Sequence, residues 1–300
     1  MVDFIHNNKD RYGVDAICRI LPIAASTYYR TLDLADNPEH RAKRDLHDEH
    51  HAEQIQRIWK ESSGRYGVRK VWQQLKREGY VIARCTVARL MQKVGIQGVW
   101  RGKNKQTTRS RDDQKRADDL VKRNFNADHP NQLWVGDFTY IQTHSGWVYT
   151  AFIIDVFSRA IVGWKVSTRM NTDMVLDALE QALHDRGMPK NVIHHSDRGV
   201  QYLSIRYTNR LEAANLRASV GTTGDSYDNA LAETVNGLYK TEVIEYLKAD
   251  WQGLADVQLA TLNWVDWFNK KRVHSALGYV SPFEFEAMYY DKINPLGQVA

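Results

Sequence analysis

The sequence predicts an α/β domain built on a mixed five-stranded sheet with flanking helices, preceded by a basic helical region with a helix-turn-helix outline. Three observations carry that expectation. From Leu133 onward, three runs rich in β-branched and aromatic residues follow one another between turn residues. Helical and strand patterns then alternate as far as Lys270, the signature of an α/β layer. Positive charge collects in front of all this: residues 1–130 hold 26 Lys and Arg against 17 Asp and Glu, whereas residues 131–300 hold 15 against 19.

The N-terminal part repeats itself. "YGVDAICRIL" (Tyr12 to Leu21) and "YGVRKVWQQL" (Tyr66 to Leu75) place aromatic, Gly, Val and apolar positions at equal offsets. Each predicts a short amphipathic helix, then a break at Pro22 or at "EGY", then a second helix. The second copy continues as "ARCTVARLMQKVG", with Val87, Leu90, Met91 and Val94 at helical spacing and Gly95 as the stop. Helix, short turn and helix form a helix-turn-helix, with Arg84, Arg89 and Lys93 on the recognition helix and Arg69 and Lys70 on the helix before it. Residues 57–123 carry 19 basic and 6 acidic side chains, an electrostatic footprint for the phosphates of DNA.

"VWRGKNKQTTRSR" (Val99 to Arg111) has no acid and no apolar period, and reads as a basic linker. The strand-rich half follows. Strands are expected at 133–141, 147–155 and 160–167, a helix at about 172–187, and a short strand at "NVIHH". Beyond these come a helix near 200–214, a strand near 217–220, and helices near 230–247 and 254–270. The expected division is a helix-turn-helix-like segment over 1–40, a helical DNA-binding domain over 41–98, the linker over 99–126, the catalytic core over 127–290 and a tail over 291–300.

Composition bounds the functions. With 43% hydrophobic residues among 300, the chain can bury an ordinary core. No apolar run reaches the roughly 18 residues of a membrane span, and "MVDFIHNNKDRYG" lacks the apolar stretch of a signal peptide. A soluble, unexported protein is expected, cytoplasmic and associated with the nucleoid when bound to DNA. Cys18 and Cys85 stand far apart without a CxxC partner, which argues against a disulfide framework or a thiolate zinc site.

Three carboxylates carry the chemistry. Asp137 interrupts an apolar strand, where a buried carboxylate demands a cation or hydrogen-bond donors. Asp197 follows a short apolar strand just before Gly199, at a strand end where ligands collect. Glu233 lies on a helix whose buried stripe is Leu231, Val235 and Leu238, and it shares the other face with Asn236 or Gly237 and Lys240. Two Asp and one Glu are hard oxygen ligands suited to Mg²⁺ or Mn²⁺ rather than zinc. A pair of such ions roughly 3.5–4 Å apart serves phosphodiester displacement.

The blocks "NQLWVGDFTYI", "IHHSDRGVQY" and "GDSYDNALAETVNGLYKTE", with 35 residues between Asp197 and Glu233, resemble the DD(35)E core of retroviral-type integrases. More closely, the chain is similar to the OrfB transposases of the IS3 family of insertion sequences. The closing "NKKRVHSALGYVSPFEFE" and the earlier "GRYGVRKVWQQLKREG" extend the resemblance over nearly the whole chain. It implies an RNase H-like integrase core, with Asp137, Asp197 and Glu233 as both the catalytic and the metal-binding triad, and Lys240 approaching terminal DNA. It implies Mg²⁺-dependent nicking at element ends to free a 3′-hydroxyl, then strand transfer through a circular intermediate without a covalent protein–DNA bond. The implied partners are the terminal inverted repeats, target DNA, further copies of the chain on DNA, and an upstream-frame product or fusion. Val200 departs from the pattern, standing where Ser is common, with an effect expected on packing rather than chemistry.

Plainer readings compete for several residues. Asp155 in "IIDVFSR" fits a turn or a pairing with Arg159. "HDEHHAE" puts His47 and His51 at i, i+4, but without cysteines a solvated helix face is the expectation. His194, His195 and Ser196 adjoin Asp197 but cannot form a hydrolase triad, because strand neighbours point to opposite faces. Trp251, Trp264 and Trp267 are expected in the core. A regulator without catalysis has no need of Asp137, and a tyrosine recombinase needs an Arg/His cluster that is absent from the sequence. An inactive transposase relic acting only as a DNA-binding protein is the alternative, against which stand three intact carboxylates.

Overall fold

A computed structural model of the chain describes residues 1–100, 121, 125–197, 199–220, 230–247 and 250–294. Most of the expected basic linker lies outside the described residues.

The N-terminal repeat folds as two three-helix units. In the first, α1 (Val2–Tyr12), α2 (Val14–Ile20) and α3 (Ala25–Asp36) enclose a small core of Ile5, Ile17 and Tyr28. In the second, α4 (Lys43–Glu61), α5 (Val68–Arg77) and α6 (Arg84–Lys93) enclose Ile55, Ile58, Val71, Leu75, Val87 and Leu90. Ile17 and Val71 hold matching offsets in the two copies, and both are buried. The expected solvated face of "HDEHHAE" needs correction. Asp48 and His51 are buried; the His51 ring packs at 6.0 Å from Tyr80, and its Nδ1 bonds the His47 carbonyl at 2.7 Å.

The catalytic half is a sheet in the order β3-β2-β1-β4-β5, formed by β1 (Leu133–Thr143), β2 (Gly146–Asp155), β3 (Ile161–Ser167), β4 (Ile193–Ser196) and β5 (Arg217–Val220). The first three are antiparallel, and β4 and β5 run parallel to β1. Alternation along β1 sends Leu133, Val135 and Ile141 to one face and Trp134 to the other. One face is covered by α9 (Ala230–Tyr239) and α10 (Leu254–Lys270), the other by α7 (Thr172–Asp185) and α8 (Ile205–Ala213). A final helix, α11 (Pro282–Ile293), starts at a capping box in which Ser281 and Glu284 satisfy each other's backbone amides.

Two boundaries differ from expectation for local reasons. The helix expected from about residue 200 starts at Ile205, because Ser204 takes the cap position and accepts from Tyr207 N at 3.3 Å. The helix expected over 230–247 changes character: Lys240–Glu245 is wound as a π-helix, a widened turn that proteins retain mostly at functional places. Asp155 is fully buried in a turn, accepting from Ser158 N and Asn131 N. The cation whose charge reaches it is Arg186 rather than Arg159. Trp264 and Trp251 are in the core as expected. No helix among the described residues is long and apolar enough to cross a membrane.

Candidate active site

Backbone register brings the first two carboxylates together. In the parallel pair of β1 and β4, Gly136 is partnered with Ser196, so Asp137 and Asp197 are the next residues along two neighbouring strands. Such strands run roughly 4.8 Å apart, which sets Asp137, midway along β1, beside Asp197, just past the carboxyl end of β4. Gly136 makes room for this. A Cβ there would meet the His194 ring at 3.1 Å and Tyr202 at 3.5 Å.

The pair is electrostatically strained. Burial, and after it the charge of Asp197, lifts the Asp137 carboxyl far above the ordinary value; Glu233 adds to the rise. Phe138 N at 2.8 Å from Oδ1 and Asn236 Nδ2 at 2.8 Å from Oδ2 offset part of it. Asp197 opens to solvent, yet the dense protein behind it raises its carboxyl too, against the pull of Gly199 N at 3.0 Å. Glu233 is exposed in the first turn of α9, where the helix dipole favours a negative charge.

Buried groups form the floor. His195 Nδ1 meets Ser219 Oγ at 2.9 Å, and Tyr207 OH meets His194 Nε2 at 3.1 Å. Burial, then the neighbouring His195, lowers His194 to about 4, so its ring is uncharged at neutral pH. Burial first, then Tyr207, Asp137 and Asp197, pushes the Tyr202 phenol well up and keeps it protonated. His194, His195 and Ser196 are all buried. Val200 is 79% exposed, so its departure from the family pattern has no packing consequence.

The site suits a divalent cation by its chemistry. It offers oxygen donors of the hard type, a carboxylate destabilised as an anion, and a buried oxygen, Asn236 Oδ1, without a hydrogen-bond partner. Among the described residues no three His, Cys, Asp or Glu side chains stand close enough together to hold a metal ion as they are.

The other expected residues are scattered. Lys240 follows Glu233 by two turns and lies with Nζ 4.7 Å over the ring of Tyr140, which itself packs edge-on against Trp147. Arg69 and Arg84 are exposed on the helix-turn-helix unit. Arg89 is bound to Asp48 at 2.8 Å. Lys70 does not occupy an open DNA-facing position: it lies over the Tyr66 ring at 5.1 Å, and burial, then Arg272, lowers its ammonium to about 7. The bond from Asn236 to Asp137 goes beyond the sequence reading; its only signal was the spacing of three from Glu233.

A sheet of this order, with one aspartate inside β1, another just past the parallel β4, and a helix carrying Glu233 laid beside them, defines an integrase-type polynucleotidyl transferase. Family models agree: residues 127–226 and 214–282 match models described as "Integrase core domain", and residues 46–104 match an "HTH-like domain". The chain belongs to the IS3-family transposases of insertion sequences. It is 52% identical over 98% of both chains to a transposase for insertion sequence element IS629 from Shigella sonnei. It is 32% identical to the transposase InsF for insertion sequence IS3A of Escherichia coli K12, over 94% of this chain and 97% of that one. Solved structures similar to it include the catalytic core of HTLV-2 integrase in complex with magnesium, 20% identical, with a TM-score of 0.43, over 54% of this chain and 99% of that one.

Proposed function

We propose that this transposase cuts the ends of its element and joins them to new DNA in a Mg²⁺-dependent reaction, with Asp137, Asp197 and Glu233 as the catalytic and metal-holding residues. The observation that carries this reading is the level pairing of Gly136 with Ser196, which brings two strained aspartates side by side on neighbouring chain segments. Mg²⁺, or Mn²⁺ in its stead, two ions per site, supplies charge for the attacking and leaving oxygens of a phosphodiester when bound.

The chain's own groups do the rest. Asn236 fixes the orientation of Asp137 through the bond to Oδ2. Gly199 N fixes one oxygen of Asp197, leaving the other toward solvent and the incoming DNA. Lys240 and the exposed Arg69 and Arg84 attract the phosphate backbone, with Arg89 joining them if it leaves Asp48. Lys70 has no part in this contact. Water attacks first and frees a 3′-hydroxyl at the element end; that hydroxyl then displaces another 3′-oxygen from phosphorus, so no protein nucleophile enters the sequence of bonds.

The expected partners are the element's terminal inverted repeats, target DNA and further copies of this chain, with an upstream-frame product or fusion as a further component. The proposed division keeps a helical DNA-binding domain over 41–98 and the core over 127–290. The place of action is the cytoplasm, at the nucleoid.

The test uses labelled duplexes of the element's own ends with Mg²⁺. Asp137→Asn, Asp197→Asn and Glu233→Gln are each expected to lose nicking and strand transfer while gel-shift binding persists. Strand joining by Asp197→Asn would overturn the assignment, and a wild-type chain that binds ends but never cuts them would be the inactive relic.

A further inference from the structure

The helix that carries Glu233 does not end freely. Its π-wound continuation holds Glu242, 6% exposed, whose carboxylate takes Arg272 NH2 at 2.6 Å, Arg272 Nε at 3.0 and 3.1 Å, and Trp264 Nε1 at 3.1 Å. Arg272 is itself 5% exposed. The Glu242 backbone carbonyl accepts from Arg65 Nε at 3.0 Å, and the Arg65 guanidinium lies 4.8 Å over Trp267. One glutamate thus ties the catalytic helix, α10 and the helix-turn-helix unit together.

Around that hub the two halves share a core. Tyr66 OH accepts from Val273 N at 2.8 Å and donates to Lys271 O at 3.3 Å. Val273 is buried in the cluster formed by α4, α5 and α6, with Trp267 and Tyr279 packed against it. Gly64, at φ +75°, lies under Tyr246; a Cβ there would meet the Tyr246 hydroxyl at 1.9 Å. Arg77 holds Glu284 at 2.7 Å on the far side. Domains joined only by a linker move against each other, whereas a dry shared interface fixes them. A buried ion pair contributes little net stability, and its best-attested use is to set register.

We propose that Glu242, with Arg272 and Arg65, is a positioning device: it fixes the distance between the DNA-reading helix α6 and the carboxylate site, so that the nick falls at a set spacing from the sequence that the helix-turn-helix unit holds. The proposal rests on the cutting activity argued above. Glu242 touches no reacting atom; it acts through the helix of Glu233.

The experiment uses the full chain and labelled duplexes of the element's terminal sequence. In one series, about 1 to 3 base pairs are inserted between the segment that the helix-turn-helix unit protects from cleavage reagents and the natural nick. The wild-type nick is expected to stay at constant distance from the protected segment and so to move across the natural end. In Arg65→Met, and in the double variant Glu242→Leu with Arg272→Met, which replaces the ion pair by apolar groups instead of stranding one charge, nicks are expected to spread over neighbouring positions. Affinity should stay within about twofold, because the phosphate contacts are untouched. Thermal unfolding identifies any variant that fails to fold, and mere destabilisation lowers the yield of nicks without spreading them. A wild-type nick that stays at the natural end despite insertions, or folded variants that cut as sharply as wild type, would overturn the ruler alone. A wild-type chain that never cuts would sink the reading beneath it as well.

Discussion

Asn236 Nδ2 lies 2.8 Å from Asp137 Oδ2, a bond between residues 99 positions apart that joins the Glu233 helix to the first catalytic strand. Asn236→Ala removes the donor and lets the carboxylate turn. Single-turnover nicking is expected to fall about 10- to 100-fold, the usual range for a group that orients a metal-holding carboxylate. Gel-shift affinity should be unchanged. A nicking rate equal to wild type would mean that Asp137 needs no such support.

Asp137 makes the protein less stable for the sake of its chemistry. Its carboxyl is raised by burial first and then by Asp197, toward about 8, so the folded chain retains a proton that the unfolded chain has released. Stability therefore falls as pH rises from the ordinary carboxylate range toward 8. Without divalent cation, Asp137→Asn is expected to flatten this slope and to raise Tm at pH 8 by a few degrees, on the order of 1 kcal/mol. Scans at pH 5 and pH 8 decide it, and a variant that melts below wild type at pH 8 contradicts the strain.

Lys240 is held over Tyr140 rather than paired with a carboxylate in any described contact, so its charge is available to a phosphate. Lys240→Ala is expected to weaken end binding and to reduce the slope of log affinity against log salt by about 1. An unchanged slope would remove Lys240 from the DNA contact.

Arg186 and Glu286 form a buried ion pair that pins α11 beside the turn of Asp155. Glu286→Ala leaves the guanidinium without its carboxylate and is expected to cost about 3 kcal/mol by urea unfolding. Asp177→Ala, which breaks the exposed pair with Lys165, should cost under about 1 kcal/mol. Equal costs would show that burial of the first pair has no energetic weight.

Local pattern made much of this molecule readable. The β-branched and aromatic runs of β1 to β3 differ from the observed strands by only a residue or two, because alternation and turn residues act within a few positions. Asp137 was conspicuous as a carboxylate in an apolar strand, and Asp197 and Glu233 by their blocks and spacing. What escaped depends on tertiary neighbours. Lys70 looked like any helix-surface lysine until Tyr66 and Arg272 met it, and His51 looked solvated until Tyr80 covered it. Nothing near Glu242 in the chain announces Arg65, 177 residues earlier. The π-turn has no local signature: Thr241, Val243 and Ile244 are β-branched and disfavour helix, but nothing in them specifies a wider turn.

The level register of β1 and β4 has a consequence for how such an enzyme ages. Two aspartates aligned by main-chain ladders owe their alignment to no particular neighbour, so most side chains around them can drift while the pair stays in step. What cannot drift is the count of residues in each strand. A one-residue deletion in β4 would carry Asp197 to the opposite face of the sheet and silence the enzyme without removing a single catalytic group.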